Sequence, residues 1–134
     1  MPRVNLRASV SFYRSRVEAL SGPNNRLDGQ QPWSGNLGFD YRLSSLPLST
    51  GVSLAFTPAY LTQQTQTQSL EQSRSRGLDV FALWSFSRTV SLRLSANNLA
   101  PLDNQTQTLL SSGYNSSSQR SGRTNFGAAL EVKL

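Results

Sequence analysis

Apolar and polar residues alternate along six stretches of the chain, and a period of two is typical of a β-strand with one apolar and one polar face. In the clearest stretch, every second residue from Phe126 to Leu134 is apolar, with polar or small residues between. Pro58 cannot donate a ladder hydrogen bond, so we expect it near a strand end or a bulge. The pattern predicts six strands, which cover Arg3 to Tyr13, Trp33 to Leu43, Leu48 to Leu61, Arg76 to Phe86, Val90 to Asn98 and Gly122 to Leu134.

The connections between these strands are alternately long and short. Residues 14–32, 62–75 and 99–121 form long polar stretches that are predicted to be loops, whereas residues 44–47 and 87–89 form short links. Outer-membrane barrels have tight periplasmic turns and extended external loops, while a soluble sandwich shows no systematic alternation. The sequence therefore predicts an all-β fold. It would be an antiparallel up-and-down meander of about six amphipathic strands, a segment of a transmembrane β-barrel, with residues 1–134 forming a single partial domain.

Charged residues inside the predicted strands share the face opposite the aliphatic residues. An Arg or Lys that faces lipid at mid-membrane costs about 2–4 kcal/mol, whereas a barrel lumen tolerates charge; a half-buried soluble sheet would show the same distribution. Because Asp40 and Asp79 share this face with Arg42 and Arg93, we expect ion pairs in the lumen rather than an acid–base pair. The lumen-facing candidates for contact with a plug or a solute are Arg7, Asp40, Arg42, Asp79, Arg93 and Glu131.

Aromatic residues such as Trp33, Tyr41, Trp84 and Phe86 fall mostly near the predicted strand ends. Membrane barrels place aromatic girdles at both interfaces with water, although aromatic residues favour sheets in general. We interpret these positions as girdles.

The composition excludes several kinds of chemistry. The chain has 134 residues with no Cys and no His, which removes the usual ligands of zinc, haem and iron–sulfur clusters and the usual bases of nucleophilic catalysis. We therefore predict no enzymatic activity, no catalytic or metal site and no cofactor. The net charge of +6 comes from scattered arginines, which indicates solvated faces and loops first, contact with anionic lipopolysaccharide next and nucleic acid last.

Four segments of the sequence resemble the late part of the barrel of TonB-dependent receptors, and their order and spacing carry the resemblance. Residues Gly22 to Tyr41 are similar to a loop and strand of that family, and Leu78 to Phe86 with Val90 to Leu99 resemble its penultimate hairpin. Phe126 to Leu134 resembles its final strand. The resemblance implies ligand-gated uptake of a scarce nutrient, such as a siderophore, cobalamin or a sugar, across the outer membrane of a Gram-negative bacterium, with energy supplied through TonB.

The chain also departs from that family. Members have about 22 strands around a plug, whereas six strands are predicted here, without a plug or a TonB box, and Leu134 stands where the family often has an aromatic residue. We therefore expect the C-terminal piece of a larger receptor. Its partners would be outer-membrane lipid, lipopolysaccharide and the missing N-terminal barrel and plug segments, with TonB reached only through the plug and no contact with nucleic acid. The alternatives are a small stand-alone or oligomeric outer-membrane barrel (a pore or adhesin) and a soluble basic β-sandwich that binds carbohydrate or nucleic acid.

Overall fold

The computed structural model describes residues 3–20, 22 and 25–133. Within these residues all regular elements are β-strands and all strand pairs are antiparallel, which confirms the predicted all-β antiparallel class. The strands are β1 (Arg3–Phe12), β2 (Trp33–Arg42), β3 (Leu48–Thr57), β4 (Tyr60–Gln63), β5 (Gln68–Gln72), β6 (Ser75–Ser85), β7 (Val90–Asn97), β8 (Asn104–Leu110), β9 (Asn115–Arg120) and β10 (Asn125–Val132). Leu134, the last residue of the predicted sixth strand, lies outside the described residues, as do Ser21, Pro23 and Asn24 of the first long connection.

The larger sheet has six strands in the order β1-β2-β3-β6-β7-β10. These are the six strands that the alternation predicts, with ends that shift by a few residues. Short links join β2 to β3 and β6 to β7, as expected, and the backbone of Phe86 and Ser87 donates to the Val90 carbonyl in the second link. The strand order is that of an antiparallel meander. The long connections from β3 to β6 and from β7 to β10 both lie at the same end of the sheet.

The register of this sheet gathers most of the aliphatic residues of its six strands on one face, with Leu83 in β6 as the largest exception. A one-residue slip in any pair would move that strand's apolar residues to the other face, so the alternation itself specifies the register. The central row across the sheet consists of Leu6, Phe39, Val52, Val80, Ala96 and Phe126.

This apolar face is open. Leu6 and Phe126 are 71% and 79% exposed, and even Phe39 and Val52 in the middle of the sheet are 41% and 39% exposed. Among the described residues, Ala96 is the only apolar residue that is buried. The extensive contacts between elements all join paired strands of one sheet. The two sheets therefore do not close over a common hydrophobic core.

The second sheet contradicts the prediction that residues 62–75 and 99–121 are loops. Hairpins form there instead, and β4, β5, β8 and β9 pair in that order into a four-stranded sheet. The segments are rich in Gln, Thr and Ser on both faces, so they carry no apolar period. Backbone pairing does not need such a period, and threonine favours strands because it is β-branched.

Each hairpin of the second sheet continues a pair of strands of the first. Pro58 and Ala59 separate β3 from β4, and Ser73 and Arg74 separate β5 from β6. The sequence predicts that the third strand runs to Leu61, but β3 ends at Thr57 because Pro58 has no backbone N–H to donate. The expectation that Pro58 lies at a strand end is confirmed.

The described part of the connection between β1 and β2 is irregular and is held by its own polar groups. The buried Asn25 side chain donates to the carbonyls of Val17 and Leu20, and the Ser15 hydroxyl contacts the Gln30 side chain. The two Asn25 bonds satisfy backbone carbonyls that no strand partner reaches. No helix in the part of the chain that the structure describes has the length and apolar character needed to cross a membrane.

Candidate functional site

The polar face of the larger sheet carries a ladder of interacting side chains that starts at an ion pair. Arg7 in β1 lies opposite Gly38 in β2, and its guanidinium Nη2 is 2.5 Å from Oδ2 of Asp40. A Cβ built on Gly38 would lie 3.6 Å from Arg7 Nε, an ordinary van der Waals contact, so the arginine side chain lies over this glycine on its way to its diagonal neighbour.

The ladder continues from Asp40 across β3 to β6 and β7. Gly51 lies between Asp40 and Phe81 in the register, and a Cβ there would be 2.6 Å from Asp40 Oδ1 and 2.4 Å from Phe81 Cε1. The Arg93 guanidinium carbon lies 5.2 Å from the centroid of the Phe81 ring, a cation–π arrangement. Phe81, an aromatic residue on this mostly polar face, therefore fills the space over a glycine and supports an arginine.

All six sequence candidates lie on this polar face by their register, but they do not all come together. The expected pairing of Asp40 and Asp79 with Arg42 and Arg93 is wrong in its partners, because register and not shared face decides which charges meet. Arg42 lies opposite Arg3, a like charge, and next to Ser49 on the other side. Glu131 lies opposite Ser91.

The Asp79 carboxylate binds a backbone N–H group rather than an arginine. Its Oδ1 accepts a hydrogen bond from the backbone N–H of Asn98 at 2.8 Å. Asn98 has a φ of 57° in the left-handed region, where asparagine is tolerated better than most residues, and it is where the chain leaves β7. The Asn98 side chain in turn donates to the Arg123 carbonyl, so this carboxylate anchors the base of the second long hairpin.

A second candidate site, which the sequence reasoning missed, is a polar cleft of about 530 Å³ where the two sheets meet. Hydroxyls, amides and one guanidinium line it, and no carboxylate of the described residues does. Its lining residues are Gln31, Thr57, Tyr60, Gln72, Ser73, Ser75, Asn104, Thr106, Ser118 and Arg120.

The second sheet builds the floor of this cleft from two rows of side chains. One row crosses all four strands through Tyr60, Gln72, Thr106 and Ser118, and the next row on the same face pairs Asn104 with Arg120. Within the first row, the Thr106 hydroxyl donates to Gln72 Oε1 at 2.8 Å. Among the described residues, no group accepts a hydrogen bond from the amide nitrogen of Gln72, which keeps its donors for another partner.

Tyr60 ties the wall of the cleft to the connection between β1 and β2. Its hydroxyl donates to the Gly29 carbonyl at 3.1 Å, and Gln64 Nε2 donates to both carboxylate oxygens of Asp28 at 3.0 Å. Burial, and to a smaller extent the negative charge of Asp28, raise the pKa of the Tyr60 hydroxyl above its usual value. Both effects penalise the tyrosinate.

This shift predicts a loss of stability at high pH. Above about pH 10 an unfolded tyrosine loses its proton, while folded Tyr60 still holds its own, so its contribution is complete below that pH and is lost as the pH rises through the folded pKa. We expect the urea midpoint of the folded chain to fall less steeply over this alkaline range in Tyr60→Phe than in the unsubstituted protein. Tyr114→Phe, at a position 67% exposed, is the matched control. Equal pH dependence in the two variants would contradict the expectation.

Comparisons with known proteins give no further guide to the site. No family model matches the sequence, no curated protein is similar to it, and no solved structure matches the fold.

Proposed function

We propose that this chain forms part of the wall of a β-barrel in the outer membrane of a Gram-negative bacterium, within a TonB-dependent receptor that takes up a scarce nutrient. The observation that carries the proposal is the open apolar face that crosses all six strands of the larger sheet. A contiguous exposed apolar surface of this kind is rare on soluble monomers and is the ordinary outer surface of a membrane barrel.

The dimensions of the sheet support the same proposal. The first three strands and β6 have 10, 10, 10 and 11 residues, close to the span of about 9–11 residues that a tilted strand needs to cross a bilayer. Apart from Arg76 near the start of β6, the charges on these strands lie on the opposite face, where a water-filled lumen would hydrate them. On this proposal Arg7, Asp40 and Arg93 face the plug or the solute.

Aromatic residues at both ends of the apolar face add a second line of support. At one end Phe12 lies opposite Trp33, whose ring is 5.4 Å from that of Phe56. At the other end Trp84 and Phe86 stack at 5.4 Å. Two aromatic belts separated by an aliphatic band are the arrangement of the girdles at the two membrane interfaces.

The open edges of the sheet lead us to assign the rest of the barrel to other strands. In the described residues β1 pairs only with β2, and β10 pairs only with β7. Bacterial barrels begin at about eight strands, so six would not close around side chains. On this proposal the remaining wall and the plug belong to the larger receptor, TonB acts only through that plug, and the two long hairpins lie outside, beside lipopolysaccharide.

Quenching of tryptophan fluorescence by brominated lipids tests the proposal. The chain has two tryptophans, so Trp33→Phe and Trp84→Phe each leave one reporter, at opposite ends of the apolar face. We expect lipids brominated near the headgroup to quench both reporters more than lipids brominated near the bilayer centre. A chain that is monomeric in buffer, melts cooperatively without detergent and shows no quenching would contradict the proposal. A discrete oligomer in detergent with channel conductance would instead support the stand-alone barrel, which the two open edges also suit.

A further inference from the structure

From its lining we infer that the cleft between the two sheets binds an acidic carbohydrate, a short saccharide that carries a carboxylate. This inference deepens the proposed function by naming the class of nutrient, and it rests on that function for the role of the saccharide as cargo. The cleft itself is built from the two long hairpins and can be tested separately.

The size and polarity of the cleft point to a small hydroxylated ligand. A volume of about 530 Å³ falls in the range of about 300–1,000 Å³ that small-molecule sites occupy. Most such sites are lined by apolar side chains, whereas hydroxyls and amides dominate here. An apolar ligand would take these groups out of water without giving them partners, which is unfavourable, while sugar hydroxyls both donate and accept.

Two side chains of the cleft are placed to serve a saccharide without losing bonds inside the protein. Gln72 uses its carbonyl oxygen for Thr106 and keeps its amide nitrogen for a ligand. Among the described residues, no hydrogen bond involves the side chain of Asn104, which lies on the neighbouring row of the same face. Asn104 therefore offers both a donor and an acceptor to adjacent sugar hydroxyls, and Gln72 adds its amide donors.

Arg120 sets the charge of the ligand. It lies opposite Asn104 in the pairing of β8 with β9, and no described carboxylate lines the cleft to neutralise it. A guanidinium binds a carboxylate through two parallel N–H···O bonds. Arg120 is the only charged side chain among the described residues that line the cleft, so it favours a ligand that presents a carboxylate over a neutral or cationic one.

Calorimetric titration of the full chain, refolded in detergent micelles, tests the inference with three probes: trigalacturonate, neutral maltotriose and inorganic phosphate. We expect trigalacturonate to bind about tenfold or more tightly than maltotriose, because a bond to a charged group is worth more than a neutral one. Inorganic phosphate is expected to bind more weakly than trigalacturonate. Binding of phosphate as tight as that of trigalacturonate would mark a simple anion site and overturn the inference.

Two variants and a matched control sharpen the test. Arg120→Gln is expected to weaken trigalacturonate by about tenfold or more and to leave maltotriose unchanged, whereas Asn104→Ala should weaken both sugars by a few-fold. Arg88→Gln removes the same charge from the exposed turn between β6 and β7 and should change neither. Equal affinities in Arg120→Gln and Arg88→Gln would overturn the inference.

The failure of this inference can be told apart from that of the proposed function. Bromolipid quenching without saccharide binding would overturn only the assignment of the cleft. Saccharide binding that depends on Arg120, in a chain whose tryptophans are not quenched, would retain the cleft and overturn the membrane wall.

Discussion

Replacing Val52 by arginine is expected to destabilise the chain folded in lipid vesicles by about 2–4 kcal/mol, the cost of an arginine that faces lipid at mid-membrane. Val52 lies in the central row of the larger sheet, between Phe39 and Val80, and is 39% exposed on the apolar face. No neighbour on that face carries a charge to pair with the new guanidinium, which would therefore enter hydrocarbon alone. A urea titration of the vesicle-bound chain, followed by tryptophan fluorescence, measures the loss.

Ser53→Arg is the control, one residue along the same strand. Ser53 lies on the polar face between Gly38, which the Arg7 side chain covers, and Asp79. An arginine there stays on the polar face, beside one guanidinium and one carboxylate. We expect a change within about 0.5 kcal/mol, as for most surface substitutions. If the two variants unfold at the same urea concentration, the apolar face does not contact lipid and the proposed wall is wrong.

The alternation of residues is sufficient to predict the larger sheet, because a strand with one apolar face must repeat every second residue over its whole length. Strands β1 and β6, with ten and eleven residues, carry four or more repeats each, so their existence and facing follow from the sequence. Their ends are set by single residues. Pro58 ends β3 where the apolar period alone continues to Leu61.

The second sheet could not be predicted in the same way because its strands have no apolar face. The sequence of β8, Asn-Gln-Thr-Gln-Thr-Leu-Leu, alternates two polar residue types, and burial distinguishes them only weakly. Its signals are local: threonines at every second position favour an extended backbone. Gly113 supplies a φ of 87° in the turn between β8 and β9. These local signals are compatible with a hairpin, but without an apolar face they do not distinguish a hairpin from a loop.

The sequence likewise predicts some features of the candidate sites and not others. The sequence predicts which face carries Arg7, Asp40 and Arg93, because facing depends on the position of each residue along its own strand. It does not predict that Asp40 meets Arg7, because that contact depends on the register between β1 and β2. The cleft depends on four strands that the period does not reveal, so its rows could not be assembled from the sequence.

The ladder on the polar face makes Gly51→Ala the second substitution with a large expected effect. The added methyl group would lie 2.4 Å from Phe81 Cε1 and 2.6 Å from Asp40 Oδ1, far inside van der Waals contact. Phe81 would have to turn away from Gly51 and from the Arg93 guanidinium, and Asp40 would have to shift beside Arg7. We expect a loss of about 1–3 kcal/mol, the usual cost of overpacking, measured by the same urea titration.

Gly77→Ala is the matched substitution, since Gly77 also lies in a central strand but has nothing within 4 Å of its built Cβ. Alanine there is expected to stabilise by about 0.5–1 kcal/mol, because glycine loses more backbone freedom on folding. A double-mutant cycle separates the two contacts at Gly51, since Phe81→Ala removes one of them and should reduce the penalty of Gly51→Ala. If Gly51→Ala costs the same with and without the Phe81 ring, the ring does not cover the glycine, and the ladder from Arg7 to Arg93 is broken at its centre.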